Sequence, residues 1–174
     1  MLLVLSGLPG SGKSELARAL AERYPFCLVG SDAVRRAIFP QRNYTGPEHA
    51  ATYRTCHEVI GYLLRSNVWT VFDATNPSRR DRREALELGR AAGARAYAVQ
   101  LQVSADTALR RLRIREEGGD PYGSEAGIGV FEAMNATFQV EEARGPFALD
   151  AERDLKTLVE DVARILEDDP RAGL

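Results

Sequence analysis

Leu2-Leu3-Val4-Leu5-Ser6-Gly7-Leu8-Pro9-Gly10-Ser11-Gly12-Lys13-Ser14 is the stretch that decides the fold. Four apolar residues predict a buried strand over 2–5, and the residues after Gly12 carry a helical pattern to about Arg23. Between them, Gly7 to Ser14 matches G-x-x-x-x-G-K-[ST], placed between strand and helix as a phosphate-binding loop requires. Each part of the pattern has a physical task. Glycines let the backbone wrap closely, so that successive N–H groups point at phosphate oxygens. The following helix turns its positive end toward the same anion. Lys13 reaches the β- and γ-phosphates, and the Ser14 hydroxyl is a ligand for Mg²⁺. Neither lysine is preceded by Asn, so the Asn-Lys-x-Asp guanine signature is missing and ATP is the expected nucleotide.

Outward from this loop, short apolar runs alternate with segments of helical period, the pattern of βαβ units around a parallel sheet. Strands are expected at 26–29, 68–72, within 94–103 and at 147–150, which makes five with the first. Helices are expected at 31–39, 48–65, 106–117, 131–142 and 155–166, and another from Asn76-Pro77 with Asn76 as N-cap. Gly118, Gly119, Gly123, Gly127 and Gly129 predict a mobile loop or lid over 118–129. No linker interrupts the pattern, so residues 1–174 read as a single domain with a lid at about 110–130.

The chain has 174 residues, 44% hydrophobic and 28% charged, with a net charge of −2. These are the proportions of a soluble globular protein, and bulk charge does not announce a nucleic-acid binder. Of 23 basic residues only Lys13 and Lys156 are lysine. Cys27 and Cys56 fit no metal spacing and read as reduced thiols. His49 and His57 belong to no ligand pattern. The apolar opening run is too short for a signal peptide or a membrane span, so a cytoplasmic location is expected.

Three clusters read as the partner half of a phosphoryl-transfer site. Ser31-Asp32 follows the second strand, with Arg35 one helical turn on. A carboxylate there accepts the proton of an attacking hydroxyl, and the arginine holds an anionic group on the acceptor. Capping of the next helix by Ser31 or Asp32 is an equally weighted alternative. Asp73 ends an apolar strand, the generic position of a carboxylate that holds Mg²⁺ or its waters. Arg110, Arg111, Arg113 and Arg115 precede the glycine-rich segment, placed to neutralise charge on the transferring group.

Taken in order, Gly-Leu-Pro-Gly-Ser-Gly-Lys-Ser, Ser-Asp-x-x-Arg, Phe-Asp-Ala-Thr-Asn with trailing arginines, and Arg-x-x-x-Arg before a lid resemble the polynucleotide-kinase-like branch of the P-loop kinases. Zeta toxins and chloramphenicol phosphotransferases are more distant relatives of that branch. The resemblance spans residues 2 to 150 and implies an α/β, P-loop NTPase three-layer αβα sandwich, with a five-stranded parallel sheet and a mobile helical lid. It implies that Gly7, Pro9, Gly10, Ser11, Gly12, Lys13 and Ser14 bind ATP, and that Ser14 and Asp73 hold Mg²⁺. Asp32 would be the general base, with Lys13, Arg111 and Arg115 as further catalytic residues. Arg35, Asp73 and Asn76 would contact the acceptor. The implied activity is transfer of the ATP γ-phosphoryl group to a hydroxyl, such as a polynucleotide 5′-hydroxyl. The alternatives are a small-molecule kinase acting on a metabolite, nucleotide sugar or antibiotic, and a nucleotide-dependent switch without phosphotransfer. No membrane partner is expected, and the oligomeric state is not specified by sequence.

Overall fold

The computed structural model describes residues 1–118, 126–140 and 147–167. Its elements are β1 (Leu2–Ser6), α1 (Lys13–Arg23), β2 (Phe26–Gly30), α2 (Ser31–Ile38), α3 (Gly46–Arg65) and β3 (Trp69–Asp73). They continue with α4 (Arg79–Ala91), β4 (Ala96–Gln102), α5 (Ala105–Gly118), α6 (Ile128–Asn135), β5 (Ala148–Asp150) and α7 (Leu155–Glu167). The five strands form one parallel sheet in the order β2-β3-β1-β4-β5.

β1 is apolar on both faces because both are covered, as a parallel sheet requires. Its residues divide by the two-residue period of a strand. Leu3 and Leu5 join Leu16 and Leu20 of α1 and Leu158, Val162 and Leu166 of α7 in one core. Leu2 and Val4 join Phe72 of β3, Tyr53, Cys56, Ile60 and Leu64 of α3, and Ala85 of α4 in the other. The result is the three-layer α/β fold, with seven helices among the described residues. A third, smaller cluster of Ala108, Leu112 and Phe131 joins α5 to α6.

β2 is not the neighbour of β1; β3 lies between them, with Leu5 paired to Asp73 and Asp73 to Gly30. Strands lie about 4.8 Å apart, so the Cα atoms of Gly30 and Leu5 are separated by roughly 10 Å. The carboxyl ends of β1, β3 and β2 nevertheless share one edge of the sheet, and the segments leaving them converge there.

Several local assignments move. α4 begins at Arg79, and its N-cap is Ser78 rather than Asn76. Ser78 Oγ accepts from Asp81 N–H at 3.1 Å while the Asp81 carboxylate accepts from Ser78 N–H at 3.0 Å, a reciprocal capping box. This outcompetes the Asn-Pro start, which leaves Asn76 free for another task. α3 begins two residues early, at Gly46, because Thr45 is its N-cap and Pro47 fits the first turn. The glycine-rich stretch is partly helical: α5 runs to Gly118, and Ile128 and Gly129 open α6, which ends at Asn135. Residues 119–125 of the expected lid lie outside the described residues.

Candidate active site

The loop after β1 depends on glycine at definite points. Gly10 has φ +81°, and a Cβ there would lie 2.7 Å from the Ala108 carbonyl oxygen of α5. Gly12 has φ +89° and is the N-cap of α1, with no side chain capping the helix. The loop is tied to β3 by Gly7 N–H, which donates to the Thr75 carbonyl at 3.1 Å. Ser6 Oγ donates to the Asn76 carbonyl at 3.1 Å. Lys13 folds back over the loop: its Nζ donates to the Leu8 carbonyl at 2.9 Å and to Ser11 Oγ at 3.3 Å.

These elements enclose a cavity of about 550 Å³ at the carboxyl edge of the sheet. Of the residues expected at the site, Pro9, Gly10, Gly12, Lys13, Ser14, Asp32, Arg35, Asp73, Arg111 and Arg115 line it. Gly7 and Ser11 support the loop from behind, and Ser11 is buried. Asn76 is fully buried and does not line the cavity. Its φ is +42°, its Nδ2 donates to the Leu5 carbonyl at 2.6 Å, and its N–H donates to the Tyr53 hydroxyl at 3.0 Å. Asn tolerates this left-handed backbone better than most residues, so Asn76 is the clasp between β1, β3 and α3.

Charge is concentrated where the β1 and β3 segments meet. Burial pulls the Lys13 ammonium below its ordinary value; the Asp73 and Asp32 carboxylates oppose that shift and Arg115 adds to it. Burial likewise pushes the Asp73 carboxyl up, against the Lys13 ammonium and a hydrogen bond from the Ser14 hydroxyl. Asp32 therefore lies close enough to influence both members of this pair. Neither Ser31 nor Asp32 caps α2: the N-cap is Gly30, and no side-chain bond closes that end. The Asp32 carboxylate faces the cavity without a capping duty.

Arg111 reaches the loop from α5, and Arg115 lies one turn further along the same helix. Arg111 donates to the Gly10 carbonyl at 3.3 Å and to the Ala151 carbonyl at 2.9 Å. Arg115 donates to the Ala126 carbonyl, just before α6, while Glu116 Oε1 accepts from Ile128 N–H at 3.2 Å. Arg110 and Arg113 do not line the cavity.

Three side chains that the sequence left unassigned complete the opposite wall: Tyr44, His49 and Tyr53. His49 stacks on Tyr53 with ring centroids 4.1 Å apart. Their i, i+4 spacing on α3 was the available signal. Glu48, on the same turn, bonds Arg35 with Nη1 to Oε1 at 3.0 Å.

A hydroxyl and a carboxylate, Ser14 and Asp73, stand together on the cavity beside Lys13. Hard oxygen donors of this kind suit Mg²⁺, which completes its shell with phosphate oxygens and water. The pair therefore fits that ion.

Residues 2–140 match the AAA domain family. The chain belongs to that family. Among solved structures it is similar to the APS kinase CysC of Mycobacterium tuberculosis in complex with AMPPNP and APS. That match has 20% identity, covers 96% of this chain and 97% of that one, and has a TM-score of 0.74. It is also similar to a gluconokinase from Sinorhizobium meliloti 1021, at 22% identity, 95% and 93% coverage and a TM-score of 0.68. A third match is Chaetomium thermophilum Kti12 in complex with ADP-AlF3, at 18% identity, 94% and 97% coverage and a TM-score of 0.70. At these identities the likeness is one of fold. No helix among the described residues is long and apolar enough to cross a membrane.

Proposed function

We propose that this protein is an ATP-dependent kinase that transfers the γ-phosphoryl group to an alcohol. The observation that carries the reading is the shared cavity, which Lys13, Ser14, Asp73 and Asp32 line together, with Asp32 near enough to act on both Lys13 and Asp73. A switch needs the loop and a metal carboxylate; an uncommitted second carboxylate facing them is what an acceptor hydroxyl needs.

In this mechanism the backbone N–H groups of residues 7–14 and the N-terminus of α1 hold the β- and γ-phosphates. Lys13 exchanges its bonds to Leu8 and Ser11 for phosphate oxygens. Ser14 and Asp73 would hold Mg²⁺, which would supply positive charge to offset that of the phosphates. Asp32 orients the acceptor hydroxyl and accepts its proton as the oxygen attacks phosphorus and the bond to the ADP oxygen breaks. Proton loss is late in a loose transition state, so Asp32 acts mainly by alignment. Arg111, already bonded to the loop, and Arg115, which lines the same cavity, offset charge building on the transferring group.

A polynucleotide 5′-hydroxyl, the acceptor of the polynucleotide-kinase-like branch, and a small-molecule alcohol both present the group Asp32 would align. The test is phosphotransfer from labelled ATP to a panel of 5′-hydroxyl oligonucleotides, nucleosides, sugars and amino alcohols. Asp32→Asn should lower kcat by roughly 10² to 10⁴ while ATP affinity stays within about threefold, since Asp32 lies outside the phosphate loop. Comparable turnover by the variant would remove Asp32 as the base. ATP hydrolysis with no acceptor phosphorylated would favour the switch.

A further inference from the structure

Arg35 is the guanidinium nearest the proposed base in sequence, and it is 4% exposed. Its charge is already committed. Glu48 Oε1 accepts from Arg35 Nη1 at 3.0 Å, and the guanidinium carbon lies 4.7 Å from the centre of the Tyr44 ring. Glu48 is itself locked in place. Its Oε2 accepts from Asn43 N–H at 2.8 Å, and Tyr44 N–H donates to the carboxylate as well. Burial disfavours the ionised form of Glu48, but these backbone donors and Arg35 more than offset it and hold the carboxyl below its ordinary range.

A sequence reading would assign Glu48 to helix capping, since Thr45-Gly46-Pro47-Glu48 has capping-box spacing. The structure divides that role. Thr45 Oγ1 accepts from Glu48 N–H at 3.4 Å, but the Glu48 carboxylate turns to Arg35 and the 43–44 backbone instead. The guanidinium that lines the cavity beside Asp32 is therefore already paired with a carboxylate.

We propose that Glu48 is a specificity-determining residue that sets the acceptor site for an uncharged alcohol with a flat or apolar face, and against one carrying phosphate or carboxylate beside the hydroxyl. This rests on the assignment of the Asp32 end as the acceptor side. Glu48 does not itself line the cavity, but it is paired with the Arg35 guanidinium that does, so much of the attraction an anion would find there is already spent. The walls left for recognition are the Tyr44, His49 and Tyr53 rings and Leu28, which suit a planar or apolar body.

The test uses two matched pairs that differ in charge: a nucleoside with its 3′-monophosphate, and an aldose with its aldonate. Affinity is measured by calorimetry on protein loaded with AMPPNP and Mg²⁺, and kcat/KM with labelled ATP. Wild type should prefer the neutral member of whichever pair it accepts. Glu48→Gln, which keeps size and hydrogen-bonding oxygen but removes the charge, should move that ratio about tenfold or more toward the anion. Glu48→Asp should retain the wild-type preference. Thr45→Ala, which weakens only the start of α3, should lower thermal stability without moving the ratio. A merely structural Glu48 would depress both members equally. Tighter binding of the anionic member by wild type overturns the proposal, as does an unmoved ratio in Glu48→Gln or binding of no member of either pair. Should Glu48→Gln not fold, Arg35→Gln replaces it: removing the cation must deepen the preference for the neutral member, and an unchanged ratio again overturns the proposal. A shifted binding ratio without phosphotransfer leaves the selectivity intact and removes the kinase reading instead.

Discussion

Replacing Gly10 with alanine tests whether the phosphate loop is shaped by close contact with α5 or by its own backbone. Two costs arise. At φ +81° a Cβ brings left-handed strain of about 1 kcal/mol. The same Cβ would stand 2.7 Å from the Ala108 carbonyl oxygen and 3.2 Å from Ala108 Cα, backbone atoms that cannot swing away. Relieving that overlap means moving loop or helix, at roughly 1 to 3 kcal/mol. Gly12 supplies the control. It has φ +89°, but its nearest atom is Arg111 Nη1 at 3.8 Å, so Gly12→Ala carries the strain without the clash. The unfolded-state gain of Gly→Ala is common to both variants and cancels. At about 3 °C per kcal/mol for a chain of this size, Gly10→Ala should lower Tm by roughly 6 to 12 °C and Gly12→Ala by about 3 °C. The assay is thermal unfolding of the nucleotide-free proteins, followed by circular dichroism. Equal losses, or a larger one for Gly12→Ala, would refute the claim that α5 abuts the loop at Gly10. Retention of the Arg111–Gly10 bond would be refuted with it.

Lys13→Met should lower nucleotide-free stability, because it leaves the buried Asp73 carboxylate without its cation, and should abolish the stabilisation of about 2.7 kcal/mol that ATP gives at a hundredfold excess over Kd. Scanning fluorimetry with and without ATP separates the two effects. Arg82 donates to the Asn76 carbonyl at 3.0 Å and the Gln139 carbonyl at 2.8 Å and is buried, so Arg82→Met should cost about 2 to 4 kcal/mol in urea unfolding. Burial lowers His49 and His57 below their ordinary value of 6.5. The unfolded chain then binds the extra protons, so stability should be full above about pH 6.5 and fall as pH drops through the depressed folded values. His57→Gln should flatten that slope in chemical denaturation at pH 5 to 7.5, and an unaltered slope would place the titration elsewhere.

The parts of the fold that were legible were those whose signal is local. An apolar run followed by Gly7–Ser14 yields β1, the loop and α1 directly, and the 3.6-residue stripes of α3 and α7 show in the spacing of Cys56, Ile60, Val162 and Leu166. Sheet order was not legible, because nothing in β2 or β3 alone says which lies beside β1. Asn76 illustrates a competition that sequence cannot decide. Asn-Pro and Ser-x-x-Asp both start helices, and Ser78 won because Asn76 was needed at Leu5 and Tyr53. Arg82 shows the same limit. Among the arginines of 79–83 it looks like a solvated position, yet it is buried by partners 6 and 57 residues away. The Arg35–Glu48 pair was hidden for the same reason, since only the packing of α2 on α3 brings the two together.

The ion pairing of the cavity accounts for why this edge of the sheet is costly to build and useful once built. Lys13 and Asp73 are each driven toward neutrality by burial, and each keeps its charge partly through the other. Separately, either would be a buried charge without compensation, the most destabilising kind of polar burial. On the proposed reading a triphosphate and a divalent cation would complete this arrangement, the anion engaging Lys13 and the cation Asp73 and Ser14. Ligand binding then replaces one weakly compensated pair by two strongly compensated ones. Lys13 must first give up its bonds to Leu8 and Ser11, so the exchange is close to neutral for the loop itself. On that reading a polyphosphate with its cation would be favoured over a single anion, because only a ligand that engages both halves compensates both buried charges.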